Sequence, residues 1–116
     1  MHFSMFFWTS DVLGDLAVSK YVTDSLDIVG VWDAVGSRNA FSEDEKMCGA
    51  GIPVKIELAG GKMHSKMAVF DHAGTNSVVV TGSYNWTASG AESNDENTLI
   101  ISGNANIAQR YYQEVM

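Results

Sequence analysis

The amino-terminal part of the chain carries the pattern that most constrains its fold. Residues 2–9 are apolar at both odd and even positions, which is typical of a strand covered on both faces. Ser10 and Asp11 suit a helix N-cap, and residues 12–22 then carry apolar side chains at close to helical spacing. Residues 27–33 form a second apolar run. A strand, a helix and a strand in this order connect as a right-handed crossover, so we predict a parallel pair of buried strands.

The remainder of the chain predicts further strands and helices of the same domain. In chain order its patterns indicate a helix over 41–48, a strand over 52–58, an antiparallel hairpin of 63–70 with 77–83, a strand over 96–102 and a helix over 105–116. A length of 116 residues with 46% hydrophobic side chains fits one small domain with its own core. We therefore predict an α/β fold in a single domain over residues 1–116: a mixed, largely buried β-sheet flanked by helices on both faces.

Charge and cysteine content restrict the partners and the compartment. Acidic side chains outnumber basic ones by 14 to 7, and the formal net charge is -7. Such a surface repels polyanions at long range, although it does not exclude a local basic site. No apolar run reaches the roughly 18 residues of a transmembrane segment. The single Cys48 excludes a disulfide framework and is typical of a reducing compartment, so we expect a soluble protein and favour the cytoplasm.

The densest group of reactive side chains lies between His64 and Glu96. Residues two apart on a strand point to the same face, so we expect His64 and Lys66 to project together. Ser83 and Asn85 would do the same if the second hairpin strand extends that far. The hairpin would then place the two pairs side by side, with Glu96 at the same rim. An imidazole, an ammonium, a hydroxyl and a carboxamide together suit the oxygens of a phosphate.

Each of these residues also has an ordinary structural explanation. A lone His on a strand is more often a core or surface residue, and Ser or Asn near a turn usually serves the turn. Their joint occurrence in this order favours a functional site. A metal site is not indicated, because His64, Asp71 and His72 lack a recognised ligand spacing and Lys66 would repel a cation. We expect neither a metal nor another cofactor.

The same residues resemble the signature of the phospholipase D superfamily, His-x-Lys-x4-Asp. His64, Lys66 and Asp71 fit this signature without a gap. The family's later Gly-Ser-x-Asn element is matched by residues 82–85, and its downstream Glu by Glu96. The surrounding residues are most similar to the small branch that carries one motif, which includes bacterial nucleases and proteins like mitochondrial cardiolipin hydrolase. The resemblance thus implies a phospholipase D/nuclease-like half.

Two departures from the family pattern accompany this resemblance. The usual first strand and helix are missing ahead of His2, so we expect an amino terminus that is truncated relative to the family. The turn between the hairpin strands is also longer than in the shortest members. The likeness extends over residues 2–116 in the order of elements and is specific over 63–101.

The resemblance implies a metal-independent phosphodiesterase with one active site built from two copies of the motif. This chain carries one copy, so we expect a homodimer or a second half within a longer chain. His64 of one copy would attack phosphorus and form a phosphohistidine, while His64 of the other copy protonates the leaving oxygen. Lys66, Ser83 and Asn85 would hold the phosphate oxygens.

Two acidic residues receive supporting roles from the same resemblance. Glu96 would orient an imidazole and stabilise its cationic form. Asp71 would end the strand and bind a His or brace the loop. Both are included with His64, Lys66, Ser83 and Asn85 as candidate catalytic residues.

Three functions remain open at this point. A nuclease that cleaves the DNA or RNA backbone is favoured by the motif context, although the net charge of -7 opposes nucleic acid as the substrate. A phospholipase or phosphatidyl transferase would need an apolar surface beside the site, for which Met63, Met67 and Trp86 are candidates. A non-catalytic half-domain used for dimerisation would leave His64 and Lys66 without a role.

Overall fold

The computed structural model describes residues 1–116. The elements, in chain order, are β1 (His2–Met5), α1 (Asp11–Asp24), β2 (Val29–Asp33), α2 (Asp44–Gly49), β3 (Val54–Glu57), β4 (Lys66–Phe70), β5 (Val78–Gly82), α3 (Ala88–Glu92), β6 (Thr98–Ser102) and α4 (Ala105–Val115). The six strands form one sheet in the order β3-β2-β1-β4-β5-β6. β1, β2 and β3 run parallel, whereas β4, β5 and β6 pair antiparallel. The predicted mixed sheet is confirmed.

Helices cover both faces of this sheet, as predicted. Ala68 and Val69 are neighbours on β4, so their side chains point to opposite faces, and both are fully buried. Ala68 belongs to a core cluster that also contains Ala17 of α1 and Met47 of α2. Val69 belongs to a second cluster, with Ala108 of α4. None of the helices is both long enough and apolar enough to cross a bilayer.

Element boundaries differ from the predictions mainly at the loops. β1 ends well before the predicted residue, Thr9, because the chain after it pairs with other segments. The backbone N–H of Phe6 donates to the carbonyl of Ser65 at 2.8 Å, and that of Trp86 donates to the carbonyl of Phe7 at 3.2 Å. The remaining strands lie within their predicted ranges. Long-range pairing, and not local propensity, therefore decides where β1 stops.

Two helix starts also depart from expectation. Ser10 occupies the N-cap position of α1, but its side chain makes no capping hydrogen bond. α3 was not predicted; its N-cap, Thr87, accepts a hydrogen bond from the N–H of Gly90 at 3.0 Å. A helix of five residues is too short to show a helical period in the sequence.

A cluster of charged side chains joins α1 to α2. The ammonium of Lys46 lies 2.6 Å from Glu43 Oε2 and 2.9 Å from a carboxylate oxygen of each of Asp11 and Asp15. Glu43 is only 3% exposed, and burial raises its pKa. The three carboxylates raise the pKa of Lys46 far above its usual value. Lys46 therefore compensates a buried negative charge.

Replacing Lys46 by Met is expected to destabilise the fold by about 1–3 kcal/mol at neutral pH, because the Glu43 carboxylate then stays buried without a cation. A raised folded-state pKa gives stability that is present at low pH and lost as the pH rises. The deficit of the variant should accordingly shrink as the pH falls and Glu43 takes up a proton. Urea unfolding at several pH values measures it. Lys20→Met, which removes an exposed pair with Asp24, should cost no more than about 0.5 kcal/mol, and an equal loss in both variants would contradict the role of Glu43.

Candidate active site

Five of the six candidate residues lie at one end of the sheet. The carboxyl ends of β1, β2, β3 and β5 meet the amino ends of β4 and β6 there. Lys66 opens β4, and Ser83 directly follows β5. Glu96 lies just before β6. The topology thus brings together residues that are far apart in the chain.

His64 and Lys66 meet on the ring of Phe6. His64 is exposed and precedes β4, whereas the sequence predicts it within the strand. Its ring centroid lies 4.6 Å from that of Phe6, and the Lys66 ammonium lies 5.2 Å from the same centroid. Lys66 Nζ also donates to the carbonyl of His64 at 2.6 Å. Both side chains therefore lie against Phe6, and the predicted strand alternation does not apply to them, because His64 lies outside β4.

The Lys66 ammonium is a buried cation that has no carboxylate within ion-pair distance. Lys66 is 6% exposed. Burial lowers its pKa, and the charge of Glu96 opposes that shift. A partly desolvated cation interacts more strongly with an anion than one in water does. The environment of Lys66 thus favours binding of an anionic group at this end of the sheet.

Ser83 and Glu96 are linked by a compact hydrogen-bond network. The Ser83 hydroxyl donates to Glu96 Oε2, and it accepts from the N–H of Asn97 at 3.0 Å. The N–H of Ser83 donates to the carbonyl of Asn97 at 3.1 Å. Gly82, with a φ of 144°, permits this close approach, since a Cβ there would lie 2.3 Å from the Asn97 carbonyl oxygen. Both functional groups are held in defined positions.

Asn85 sits where the chain crosses the amino end of β4. Trp86 bridges to Trp8, and its carbonyl accepts from the N–H of Thr9 at 3.0 Å. The segment therefore passes from β5 over the start of β4 toward β1. The Asn85 Oδ1 atom is buried and has no hydrogen-bond partner. Buried polar atoms without partners are rare, and this one is free to bind a group that enters the site.

Asp71, although it is one of the candidate catalytic residues, lies outside this cluster and at the end of β4, where it is expected to end the strand. It follows β4 at the opposite end of the strand, about 16 Å from Lys66 at the usual rise per residue. Its Oδ2 accepts from the N–H of Asn76 at 3.1 Å, and its carbonyl accepts from the N–H of Gly74 at 3.0 Å. These bonds close the turn between β4 and β5. The motif spacing places Asp71 one strand length from the other motif residues.

Sequence reasoning missed Asp33, which ties the loops around the site. Asp33 is 1% exposed. Its Oδ1 accepts from the N–H of Val35 at 2.7 Å and of Gly36 at 3.3 Å, and its Oδ2 accepts from the N–H of Met63 at 2.6 Å. Gly36 packs so closely on Phe6 that a Cβ would lie 1.6 Å from the Phe6 carbonyl oxygen. An acid as the last residue of a buried strand was the available signal, but its bond to Met63 joins it to a segment distant in sequence.

Asp33→Asn is expected to destabilise the fold by about 1–3 kcal/mol. An amide has one accepting oxygen, and its NH₂ group only donates. The variant therefore loses either the bond from Met63 or the bonds from Val35 and Gly36. Loss of that anchor should also free the segment that carries His64. Urea unfolding measures the loss of stability. Hydrogen exchange measures the freed segment, and we expect the Met63 amide to exchange faster. The matched variant Asp95→Asn, at an exposed position, should change stability by less than about 0.5 kcal/mol. Normal protection of the Met63 amide in Asp33→Asn would contradict the anchoring role.

The assembled side chains suit a tetrahedral oxyanion. One exposed imidazole, one buried ammonium, a hydroxyl and a carboxamide lie at the same end of the sheet, with a carboxylate behind them. No group of three or more His, Cys, Asp or Glu side chains has the arrangement of a metal site. The donors present are those that bind phosphate oxygens and stabilise charge on them.

Comparison with known sequences identifies the family to which the chain is similar. A family model described as "Cardiolipin synthase, PLD-like domain" matches residues 21–115. The mitochondrial cardiolipin hydrolase of Xenopus tropicalis is 42% identical over 65 residues, which are 56% of this chain and 29% of that protein. The Homo sapiens protein of the same name is 43% identical over 51 residues, which are 44% of this chain and 19% of that protein. The aligned part thus spans less than a third of these curated relatives.

Solved structures share the fold of nearly the whole of this chain. Nuc from Salmonella typhimurium, a phospholipase D family member, superposes with a TM-score of 0.85 at 21% identity, covering 98% of this chain and 75% of that chain. NucT from Helicobacter pylori superposes with a TM-score of 0.73 at 19% identity, covering 97% and 76%. The expected phospholipase D/nuclease-like fold is confirmed.

Proposed function

The chain belongs to the PLD-like domain family of the phospholipase D superfamily, and from this premise we propose that it is a phosphodiesterase. The observation that carries the proposal is the Phe6 ring, which holds the His64 imidazole and the Lys66 ammonium together. A nucleophile beside a desolvated cation is the arrangement that attack on an anionic phosphodiester requires.

The proposed reaction proceeds in two displacements. A neutral His64 attacks phosphorus through a ring nitrogen, an N–P bond forms, and the P–O bond to the leaving group breaks. The leaving oxygen takes its proton from the imidazolium of a second His64. Water then attacks the phosphohistidine, gives its proton to that second imidazole, and releases a phosphomonoester and the neutral nucleophile.

The other site residues would stabilise the charge that develops on phosphorus. Lys66, Ser83 and Asn85 would hold the non-bridging oxygens. Glu96 accepts a hydrogen bond from Ser83, so it would orient that hydroxyl in addition to supporting an imidazolium. Lysine and protonated histidine supply the positive charge in this scheme, which we therefore propose to be independent of metal. Asp71 would act only by bracing the turn after β4.

A shared site requires a second copy of the motif. His64 is exposed at the end of the sheet, where a second chain can approach it along a two-fold axis. We propose a homodimer in which the two imidazoles face each other; a second half within a longer chain would serve equally.

Two substrate classes fit a phosphodiesterase of this kind. The motif context favours a nucleic acid, whereas the net charge of -7 opposes it. The relatives at 42% identity are named cardiolipin hydrolases, which favours a phospholipid. We propose both as candidate substrate classes, and parallel assays with single-stranded DNA and with phospholipid vesicles would distinguish them.

Hydrolysis of a soluble diester, bis(p-nitrophenyl) phosphate, in the presence of EDTA tests the proposal directly. We expect turnover, and we expect a protein-bound phosphate that is labile to acid and stable to base when a substrate labelled at phosphorus is quenched early. Loss of turnover in EDTA would overturn the metal-independent scheme. A strictly monomeric protein in analytical ultracentrifugation that still turns over would overturn the shared site.

A further inference from the structure

The Ser83 hydroxyl has one proton, and that proton already has a partner within the chain. The hydroxyl donates to Glu96 Oε2, and it accepts from the N–H of Asn97 at 3.0 Å. A serine hydroxyl offers one donor and two acceptor positions. Its single donor is therefore in use before any ligand enters the site.

A phosphodiester needs that same donor. Its non-bridging oxygens carry no proton near neutral pH, so they only accept hydrogen bonds. Ser83 can hold such an oxygen only after its proton turns away from Glu96. The Ser83 oxygen and Glu96 Oε2 would then be neighbours without a proton between them, which leaves the carboxylate oxygen without the hydrogen bond that it had. Contact with a phosphate therefore requires one further proton at this pair.

The groups around Glu96 do not supply the missing proton. Glu96 Oε1 accepts from the side-chain amide of Asn94 at 3.3 Å. The charge of Lys66 interacts with that of Glu96, but its ammonium would be engaged by the bound anion and would compensate the charge of that anion. Of the other titratable groups, His64 lies against Phe6 with Lys66, and Asp95, next to Glu96 in the chain, is exposed. The proton therefore has to come from solvent, which the half-buried Glu96 contacts.

We propose that Glu96 takes up one proton from solvent when a phosphate group binds. An O–H bond forms at Glu96 Oε2, and this carboxyl group donates to the Ser83 oxygen. The Ser83 hydroxyl then donates to a non-bridging oxygen of the phosphate and still accepts from Asn97, so its donor and both of its acceptor positions are used. The proton returns to solvent when the ligand leaves. Glu96 is thus a positioning residue that acts through Ser83, and the inference rests on the proposed role of Ser83 in holding the phosphate.

Binding of inorganic sulfate tests this coupling without any reaction. Sulfate is tetrahedral like phosphate, and it carries no proton between about pH 5 and pH 7, so every proton taken up goes to the protein. The variant His64→Asn serves as the background, because histidines titrate in this range. The chemical shifts of the Ser83 and Asn97 amides, measured by NMR at constant ionic strength, give the Kd of sulfate at each pH.

In this background the Kd should rise by up to about tenfold per pH unit, the dependence that one linked proton gives. Adding Glu96→Gln should reduce the change to less than about twofold per pH unit, because glutamine takes up no proton and can donate to Ser83 at every pH. Loss of the Glu96 charge further lowers the pKa of Lys66, which would increase proton uptake there. A smaller dependence therefore assigns the proton to Glu96. The matched change Asp95→Asn, which also removes one carboxylate, should leave the dependence of the background intact.

The variant Ser83→Ala separates the hydroxyl from the charge of the anion. Added to His64→Asn, it should remove the pH dependence as Glu96→Gln does, and an unchanged dependence would overturn the role of the hydroxyl. The inference is also overturned if sulfate does not bind, if its Kd does not vary with pH, or if Asp95→Asn acts like Glu96→Gln. Coupled sulfate binding in a wild type that hydrolyses no diester would support the coupling and overturn the phosphodiesterase. Hydrolysis without coupled binding would overturn only the coupling.

Discussion

The His64→Asn variant is expected to lose at least about 10⁴-fold in kcat on a soluble phosphodiester, because it removes the nucleophile of one copy and the general acid of the other. His64 is exposed and its ring contacts Phe6, so its loss should not unfold the protein. Urea unfolding should agree with the wild type within about 0.5 kcal/mol. No protein-bound phosphate should be trapped from the variant.

His72→Asn is the matched control for this experiment. His72 lies at the other end of β4, where its ring stacks on Tyr112 with centroids 3.7 Å apart. It should retain kcat within about twofold of the wild type. If His64→Asn keeps more than about a tenth of the wild-type rate, or if both variants lose activity equally, His64 is not the nucleophile.

The Lys66→Met variant is expected to lose about 10²–10³-fold in kcat, the usual effect of removing one group that stabilises developing charge. The free energy of unfolding of this variant should stay the same or rise, in contrast to its activity. Burial lowers the pKa of Lys66, which means that the fold disfavours the charged form; replacing the ammonium with an apolar group of similar length removes that penalty. We expect unfolding in urea at the same or a higher concentration, measured together with kcat.

Lys62→Met is the control, since Lys62 is exposed and has no role in the proposed catalytic step. It should hydrolyse the soluble diester at the wild-type rate. A parallel loss of activity and stability in Lys66→Met would show that Lys66 supports the fold and does not serve the reaction. The lowered pKa of Lys66 also predicts that wild-type activity declines on the alkaline side at a lower pH than an ordinary lysine would give.

The sequence predicted the fold well where one local pattern sufficed. The apolar run from His2 and the helical spacing after Asp11 each indicate one kind of element, and the crossover rule orients β1 and β2. The hairpin of β4 with β5 followed from two apolar runs and a short polar turn. These features depend on residues that are near each other in the chain, so they can be predicted from the sequence alone.

The sequence predicted that most of the candidate residues lie close together, but not the contacts that hold them there. The motif spacing identified His64 and Lys66, yet the reason that they meet is Phe6, an apolar residue whose importance comes from contacts more than 50 residues away in the chain. Asp33 was missed for the same reason, because its bond to Met63 joins two loops. Contacts between distant segments leave no periodic signal in a single sequence.

The Phe6 ring has a consequence for how such a site can be moved between proteins. The His64 imidazole and the Lys66 ammonium both lie against a side chain just beyond β1, outside the motif that carries the family resemblance. Grafting residues 64–96 onto an unrelated hairpin would transfer the reactive groups without their common support. A transplant of the proposed site therefore has to carry the end of β1 together with β4 and β5, in addition to the motif residues themselves.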